Sequence, residues 1–300
     1  AVAAIGQGHL IKLYEKLFAK YQITIAQILL TREDLRDRKR YLNSRNTLLS
    51  LLKYGVIPII NENDTVATEE IEFGDNDTLS ALVGSLVGAD LLIILSTVDG
   101  LYSKNPEDIK NKKGECKLIN YVPEITKKIM SYASNSGAKL GTGGMFTKLQ
   151  AANIAVDSGV DTILANGKKE DVIKEIFNCK NVGTYIPAKK IALSLRKRWL
   201  AYGPLSQGSI IIDDGAKKAI VNFGKSLLPS GIIDIKGSFN KGEMVKVETM
   251  TNFIGRGLTN YSSADLTKIK GLQSKAIIDL FGQSAKKEAV HRDKLVIRVD

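Results

Sequence analysis

Four short apolar runs recur along the first part of the chain: ITIAQILL (23–30), GVIPII (55–60), ADLLIILS (89–96) and VDTILANG (160–167). Each is rich in Ile, Leu or Val, and uninterrupted runs of this length fit strands buried on both faces of a parallel sheet. Between them the apolar residues recur at helical spacing. SRNTLLSLLKYG (44–55) and FTKLQAANIAVDSG (146–159) close on glycines suited to helix C-caps, and DTLSALVGSLVGA (77–89) opens on Asp77 and Thr78, both good N-cap residues. The alternation predicts an α/β fold with a doubly wound sheet. Ligands in such sheets bind beyond the C-terminal ends of the strands, so the polar residues that follow each run are the ones to inspect. AVAAIGQGHLIKLYEKLF (1–18) also has helical spacing, with Ile5, Leu10, Leu13, Leu17 and Phe18 on one face. No strand precedes it and Ala1 is not a methionine, which reads as a chain cut inside a domain.

Near residue 187 the pattern changes. IPAKKIALSLRKRWLAYGPLSQG (186–208) is basic and holds two prolines, so it reads as a way out of the first domain. Beyond it, SIIIDDGA, SLLPSGIIDIKGSF, KGEMVKVET and IGRGLTNY are strand-like pieces separated by Gly or Pro turns. The expected organisation is a first domain over 1–190, a linker over 191–207 and a small, mostly β domain over 208–300.

Composition narrows the chemistry. An apolar fraction of 44% and a charged fraction of 25% are those of a globular protein. No apolar run reaches membrane-spanning length and no signal peptide is visible. Cys116 and Cys179 stand far apart with no partner motif, which suits reduced thiols in a cytoplasmic protein. With only His9 and His291 present, a His-based zinc site or a Ser-His-Asp triad is excluded in practice, and no metal ligands are assigned. The net charge of +11 is spread along the chain without a dense basic tract. It permits non-specific attraction to nucleic acid, and it equally fits a solvated lysine-rich surface.

Two stretches carry candidate chemistry. GTGGMFTKL (141–149) is a loop almost without side chains that runs into an apolar-periodic helix with Lys148 on its first turn. Bare backbone N–H groups at a helix N-terminus, with a mobile charge beside them, suit a phosphate. The alternative is an ordinary glycine-rich loop with a solvated lysine. The spacing is not that of a Walker A loop, because no glycine precedes Lys148. The second stretch, Asn61 to Asp77, carries seven acidic residues and no basic one. Carboxylates at a strand end can hold an ammonium group, bind Mg²⁺ through water or orient lysines; a solvated loop capped by Asp75 and Asp77 is the alternative. Ser96 and Thr97 close the third apolar run, where small hydroxyls suit a phosphate or nucleoside and Asp99-Gly100 suits a turn.

Taken in order, NENDTVATEEIEFGDND (61–77), LSTVDGLYSKNP (95–106) and GTGGMFTKLQAA (141–152) resemble the successive motifs of the amino-acid kinase family. NEND followed by GDND is most similar to its glutamate 5-kinase branch. LTREDLRDRKRYLNSRNTL (30–48) and RKRWL (196–200) continue the likeness, and SLLPSGI, GSFNKGEMV and EAVHRD resemble a PUA domain. The resemblance implies a mainly parallel α/β/α kinase fold. It also implies transfer of the γ-phosphoryl of ATP to the side-chain carboxylate of L-glutamate, with Mg²⁺, at the start of proline biosynthesis. By that likeness Asp64 and Asn76 hold glutamate with Asp75 nearby, and Asp77 orients the catalytic lysines. Ser96 and Thr97 lie at the nucleotide. Thr142, Gly143, Gly144, Met145, Phe146, Thr147 and Lys148 wrap its phosphates. Thr97 stands where relatives commonly carry an acidic residue. The likeness further implies a homo-oligomer and weak RNA contact through the PUA-like domain. The family's first strand, its glycine turn with a lysine and a Ser-Gly segment would precede Ala1, so the isolated chain is expected to be inactive and poorly folded. The competing expectations are another amino-acid kinase, or an RNA-binding PUA protein with an inactive kinase remnant.

Overall fold

All four apolar runs form strands, and the helices between them end at the glycines that closed each periodic stretch. The computed structural model describes residues 2–66, 76–104, 116–134, 144–190, 192–203 and 205–297. They fall into two compact units, Ala1–Leu195 and Arg196–Asp300.

The first unit begins with α1 (Val2–Ala19), β1 (Ile25–Leu30), α2 (Arg32–Arg36), α3 (Arg38–Lys53) and β2 (Ile57–Glu62). Thr31 and Asp34 close a capping box on α2. Asp37 then caps α3 by accepting from the Arg40 N–H at 2.8 Å, which starts that helix at Arg38 rather than at Ser44. β1 and β2 run parallel, with Leu30 opposite Glu62 at their C-terminal ends. α4 (Asn76–Val87), β3 (Leu91–Ser96), α5 (Lys127–Ser134), α6 (Met145–Asp157), β4 (Asp161–Asn166), α7 (Val172–Phe177) and β5 (Thr184–Ile186) follow. β3 and β4 are parallel, ending side by side at Ser96 and Asn166; β5 joins β4 antiparallel. The α/β class and the mainly parallel pairing therefore hold. Among the described residues the pairing runs in two groups, β1–β2 and β3–β4–β5.

α4 packs along α6 and touches both β2 and β3. Each helix contributes small buried residues to one core cluster, Ala81 from α4 and Ala151, Ala152 and Ala155 from α6. Small residues let helix axes approach closely. Leu149, Ile94 and Leu164 fill the space against the sheet. In contrast α1 has no buried residue, and the face expected to pack leaves Ile5 67% and Leu13 55% exposed.

β5 is pinned by Thr184, which is fully buried. Its hydroxyl accepts from the Leu101 N–H at 2.8 Å and donates to the Ile119 carbonyl at 2.7 Å. Gly183 before it has φ +74, and a Cβ there would lie 2.1 Å from the Leu164 carbonyl oxygen, so only glycine fits. Asp161 ties the same strand from the other side by accepting from the Tyr185 hydroxyl at 2.8 Å and the Ala188 N–H at 2.7 Å. The Asp161 bond, aided by burial, pushes the Tyr185 phenol up to about 12.

The second unit holds α8 (Leu195–Tyr202), β6 (Gly208–Ile212), α9 (Asp214–Phe223), β7 (Ile232–Gly237), β8 (Met244–Glu248), β9 (Phe253–Thr259), α10 (Ser263–Ile269), α11 (Ser274–Phe281) and β10 (Val290–Ile297). Its five strands make one mixed sheet in the order β10-β9-β8-β6-β7, with β6 and β8 parallel. Ile210, Val245, Val247, Leu266 and Val290 form its core. The stretch 191–207 was expected as a linker. It contains α8, whose Trp199, Leu200 and Ala201 are buried, because LRKRWLAY offers apolar residues next to its basic ones. Asp213 caps α9, its carboxylate accepting from the Ala216 N–H at 2.6 Å.

The Thr184 hydroxyl serves two buried backbone groups at once. Thr184→Val keeps the shape but strands both, so the expected result is a loss of about 1–3 kcal/mol, read from the denaturant midpoint. An unchanged midpoint would show that these bonds contribute nothing.

Candidate functional site

The first turns of α4 and α6 meet. Asp77 sits on the first turn of α4 and Lys148 on that of α6. Lys148 Nζ lies 2.8 Å from Asp77 Oδ2, and the two side chains are only 13% and 16% exposed. A half-dry ion pair is attracted more strongly than one in water, and its geometry is correspondingly restricted. The Thr147 hydroxyl lies 3.2 Å from the same carboxylate oxygen and 2.8 Å from the Gly144 carbonyl, donating to one at a time. Gly144 is the N-cap of α6 and supplies no side-chain cap. The N–H groups of Met145, Phe146 and Thr147 thus have no side-chain cap from Gly144 and sit at the positive end of the helix dipole, a place suited to anions. Met145 packs into the core while Phe146 stays 40% exposed.

A second element lies at the C-terminal ends of β3 and β4. Ser96 accepts from the Gly167 N–H through its carbonyl at 2.8 Å, and Thr97 next to it is exposed. Asp99 is held by the Asn166 amide at 2.9 Å and by Lys169 Nζ at 2.9 Å. The Asn166 bond, then Lys169, holds its carboxyl below the usual carboxylate range. From sequence Asp99 reads as a turn residue, and Asn166 and Lys169 do not stand out. The signal available was the Asn-Gly that closes the fourth apolar run at a strand's C-terminal end.

The third element is a cleft of about 160 Å³ at the end of β2, lined by Gln7 and Tyr14 of α1, Gln27 of β1, Ile60 and Asn61 of β2, and Asn76 of α4. Asn76 thus faces the cleft while its neighbour Asp77 pairs with Lys148. Asp64 sits on the exposed turn after β2 and does not line the cleft. Asp75, Thr142 and Gly143 lie outside the described residues. A larger cleft, about 640 Å³, belongs to the second unit alone, between α9 and β10, with Lys225, Glu288, His291 and Arg292 on its walls. Among the described residues no three His, Cys, Asp or Glu gather as metal ligands. None of the described helices is long and apolar enough to cross a membrane.

Comparison with known proteins settles the family. The pattern of the amino acid kinase family matches residues 1–166, and that of the PUA domain matches residues 208–281. A glutamate 5-kinase of Thermoanaerobacter sp. (strain X514) is 50% identical over 299 residues, which cover 99% of this chain and 79% of that protein. The chain belongs to the amino acid kinase family. A glutamate 5-kinase of Caldanaerobacter subterraneus subsp. tengcongensis is likewise 50% identical over 99% of the chain and 79% of its own length. One from Marinomonas sp. (strain MWYL1) is 46% identical over the same shares. Within this amino acid kinase, α4 and α6 meet through both small buried residues and the Asp77–Lys148 pair.

A double-mutant cycle of Asp77→Ala and Lys148→Met, read by denaturant unfolding, is expected to give a coupling of about 1–3 kcal/mol. Additive effects of the two changes would show that the pair does not hold the helices together.

Proposed function

We propose that the chain phosphorylates the side-chain carboxylate of L-glutamate with ATP, giving L-glutamate 5-phosphate at the entry to proline biosynthesis. The observation that carries the reading is the Asp77–Lys148 pair at the uncapped start of α6, in a chain half identical to proteins named glutamate 5-kinase. A carboxylate is a weak nucleophile, and it approaches a phosphoryl group that is already negative. Catalysis of such a transfer is positioning plus charge neutralisation. In this proposal Lys148 supplies positive charge to the transferred group, Asp77 keeps it aimed, and the loop Thr142–Lys148 with Ser96 and Thr97 takes the nucleotide. Asn76, with Asp64 and Asp75, takes the amino acid. Mg²⁺ enters with the nucleotide's phosphates; no described carboxylate set is arranged to hold it, and no step is assigned to it.

Lys148→Ala is expected to lower turnover about 100-fold or more while changing glutamate affinity little. A variant with wild-type kcat would refute the role given to Lys148. A panel of acceptors including aspartate, N-acetylglutamate, carbamate and UMP separates this reading from the other amino-acid kinases.

The PUA match supports a second partner, RNA, whose phosphates the Lys225, His291 and Arg292 side of the larger cleft would meet. RNA binding to the full chain is then expected to weaken steeply between low and moderate salt and to fall with Arg292→Ala. RNA binding unchanged by that substitution would place the RNA site away from this cleft, and no binding to the full chain at low salt would remove RNA as a partner.

A further inference from the structure

Gln7 is a half-buried polar residue on α1, a helix with no fully buried residue. On α1 the half-buried residues are Ala3, Gln7, Ile11 and Phe18, which recur at helical spacing along one face. Gln7 is the one polar member of that stripe. Its amide is oriented but loosely held: Nε2 lies 3.5 Å from the Glu62 carbonyl, and Oε1 accepts from Gln27 Nε2 at 3.4 Å. Both contacts are at the outer limit of hydrogen-bond length, so they set the direction of the amide and contribute little to stability. The cleft it faces draws its polar lining from four side-chain amides, Gln7, Gln27, Asn61 and Asn76, with the Tyr14 ring beside them. Each amide offers both donors and an acceptor, and none carries charge. A zwitterionic amino acid needs both kinds of partner. A neutral wall also has no attraction for ATP phosphates, which an arginine there would share between the two substrates. Asn76 is adjacent in sequence to Asp77, so the cleft adjoins the ion pair at the start of α4.

We propose that Gln7 is a specificity-determining residue for the amino-acid substrate, its amide donating to a carboxylate of glutamate bound among Asn61, Asn76 and α1, with Gln27 positioning it. The inference rests on the glutamate reading above and names a residue for it. The bond would replace two long neutral contacts with one short charge-assisted one, a favourable exchange.

Calorimetric titration of the full chain tests it, with L-glutamate and a non-hydrolysable ATP analogue titrated separately. Gln7→Met keeps the length and removes the polar atoms; glutamate affinity is expected to fall about tenfold or more with the ATP analogue bound as before. Gln7→Glu, which sets a carboxylate against the substrate's own, is expected to weaken glutamate further. Gln27→Leu, which frees the Gln7 amide and removes one lining amide but leaves the proposed donor in place, should have a smaller effect. Should Gln7→Met fail to fold, Gln7→Asn, which withdraws the amide by one methylene, carries the same expectation. Wild-type protein that binds glutamate while the folded Gln7 variants bind it equally well would overturn the assignment of Gln7 and leave the glutamate reading standing. Wild-type protein that binds the ATP analogue but not glutamate would overturn the glutamate reading, and the assignment of Gln7 with it.

Discussion

The Asp77–Lys148 ion pair is the interaction on which the rest of the site depends. It joins residues 71 positions apart, and it forms where two helices begin rather than along their lengths. That placement matters electrostatically. Two helix N-termini brought together would repel through their positive dipole ends, and a carboxylate between them offsets that repulsion while holding the lysine. The close approach itself is steric. Ala81 on one helix and Ala151, Ala152 and Ala155 on the other are small buried residues of one core cluster and add little bulk between the axes.

The pair also divides the site by chemistry. On the side of α6, backbone N–H groups and a lysine offer positive charge to phosphate. Toward β2, neutral amides line a small cleft suited to an amino acid. A kinase that joins two anionic substrates has to keep the positive charge with the transferred group and recognise the acceptor by other means. Neutral side-chain amides offer donors and acceptors without adding charge.

Much of this was legible along the chain. The four apolar runs became β1, β2, β3 and β4, and Gly55, Gly88 and Gly159, all at positive φ, end the helices read from periodicity. Local rules decide such features, since a strand buried on both faces is apolar throughout and a helix end needs a residue tolerant of the left-handed region. The departures have equally physical causes. α8 lies inside the stretch expected as a linker, and its Trp199 and Leu200 are buried although the basic composition suggested an exposed segment. Which strands pair is likewise not written in the apolar runs: among the described residues β1 pairs with β2, and β3 with β4 and β5. The apolar face of α1 is exposed, and Gln7 among its half-buried residues gained meaning only beside Gln27 and Asn61.

By itself the sequence determined the four apolar strands and the helices at 44–55, 77–89 and 146–159, the α/β class, the change of character before the second unit and the residue types suited to phosphate at 141–149. These depend on periods of two and 3.6 residues and on capping, all written within a dozen positions. Only the tertiary structure decided that Lys148 meets Asp77, that Asp99 is held by Asn166 and Lys169, and that four amides from three separate elements and a helix start share one cleft. Those contacts join residues far apart in the chain. Their existence depends on how closely α4 and α6 pack and where β1 to β4 end, which no local pattern records.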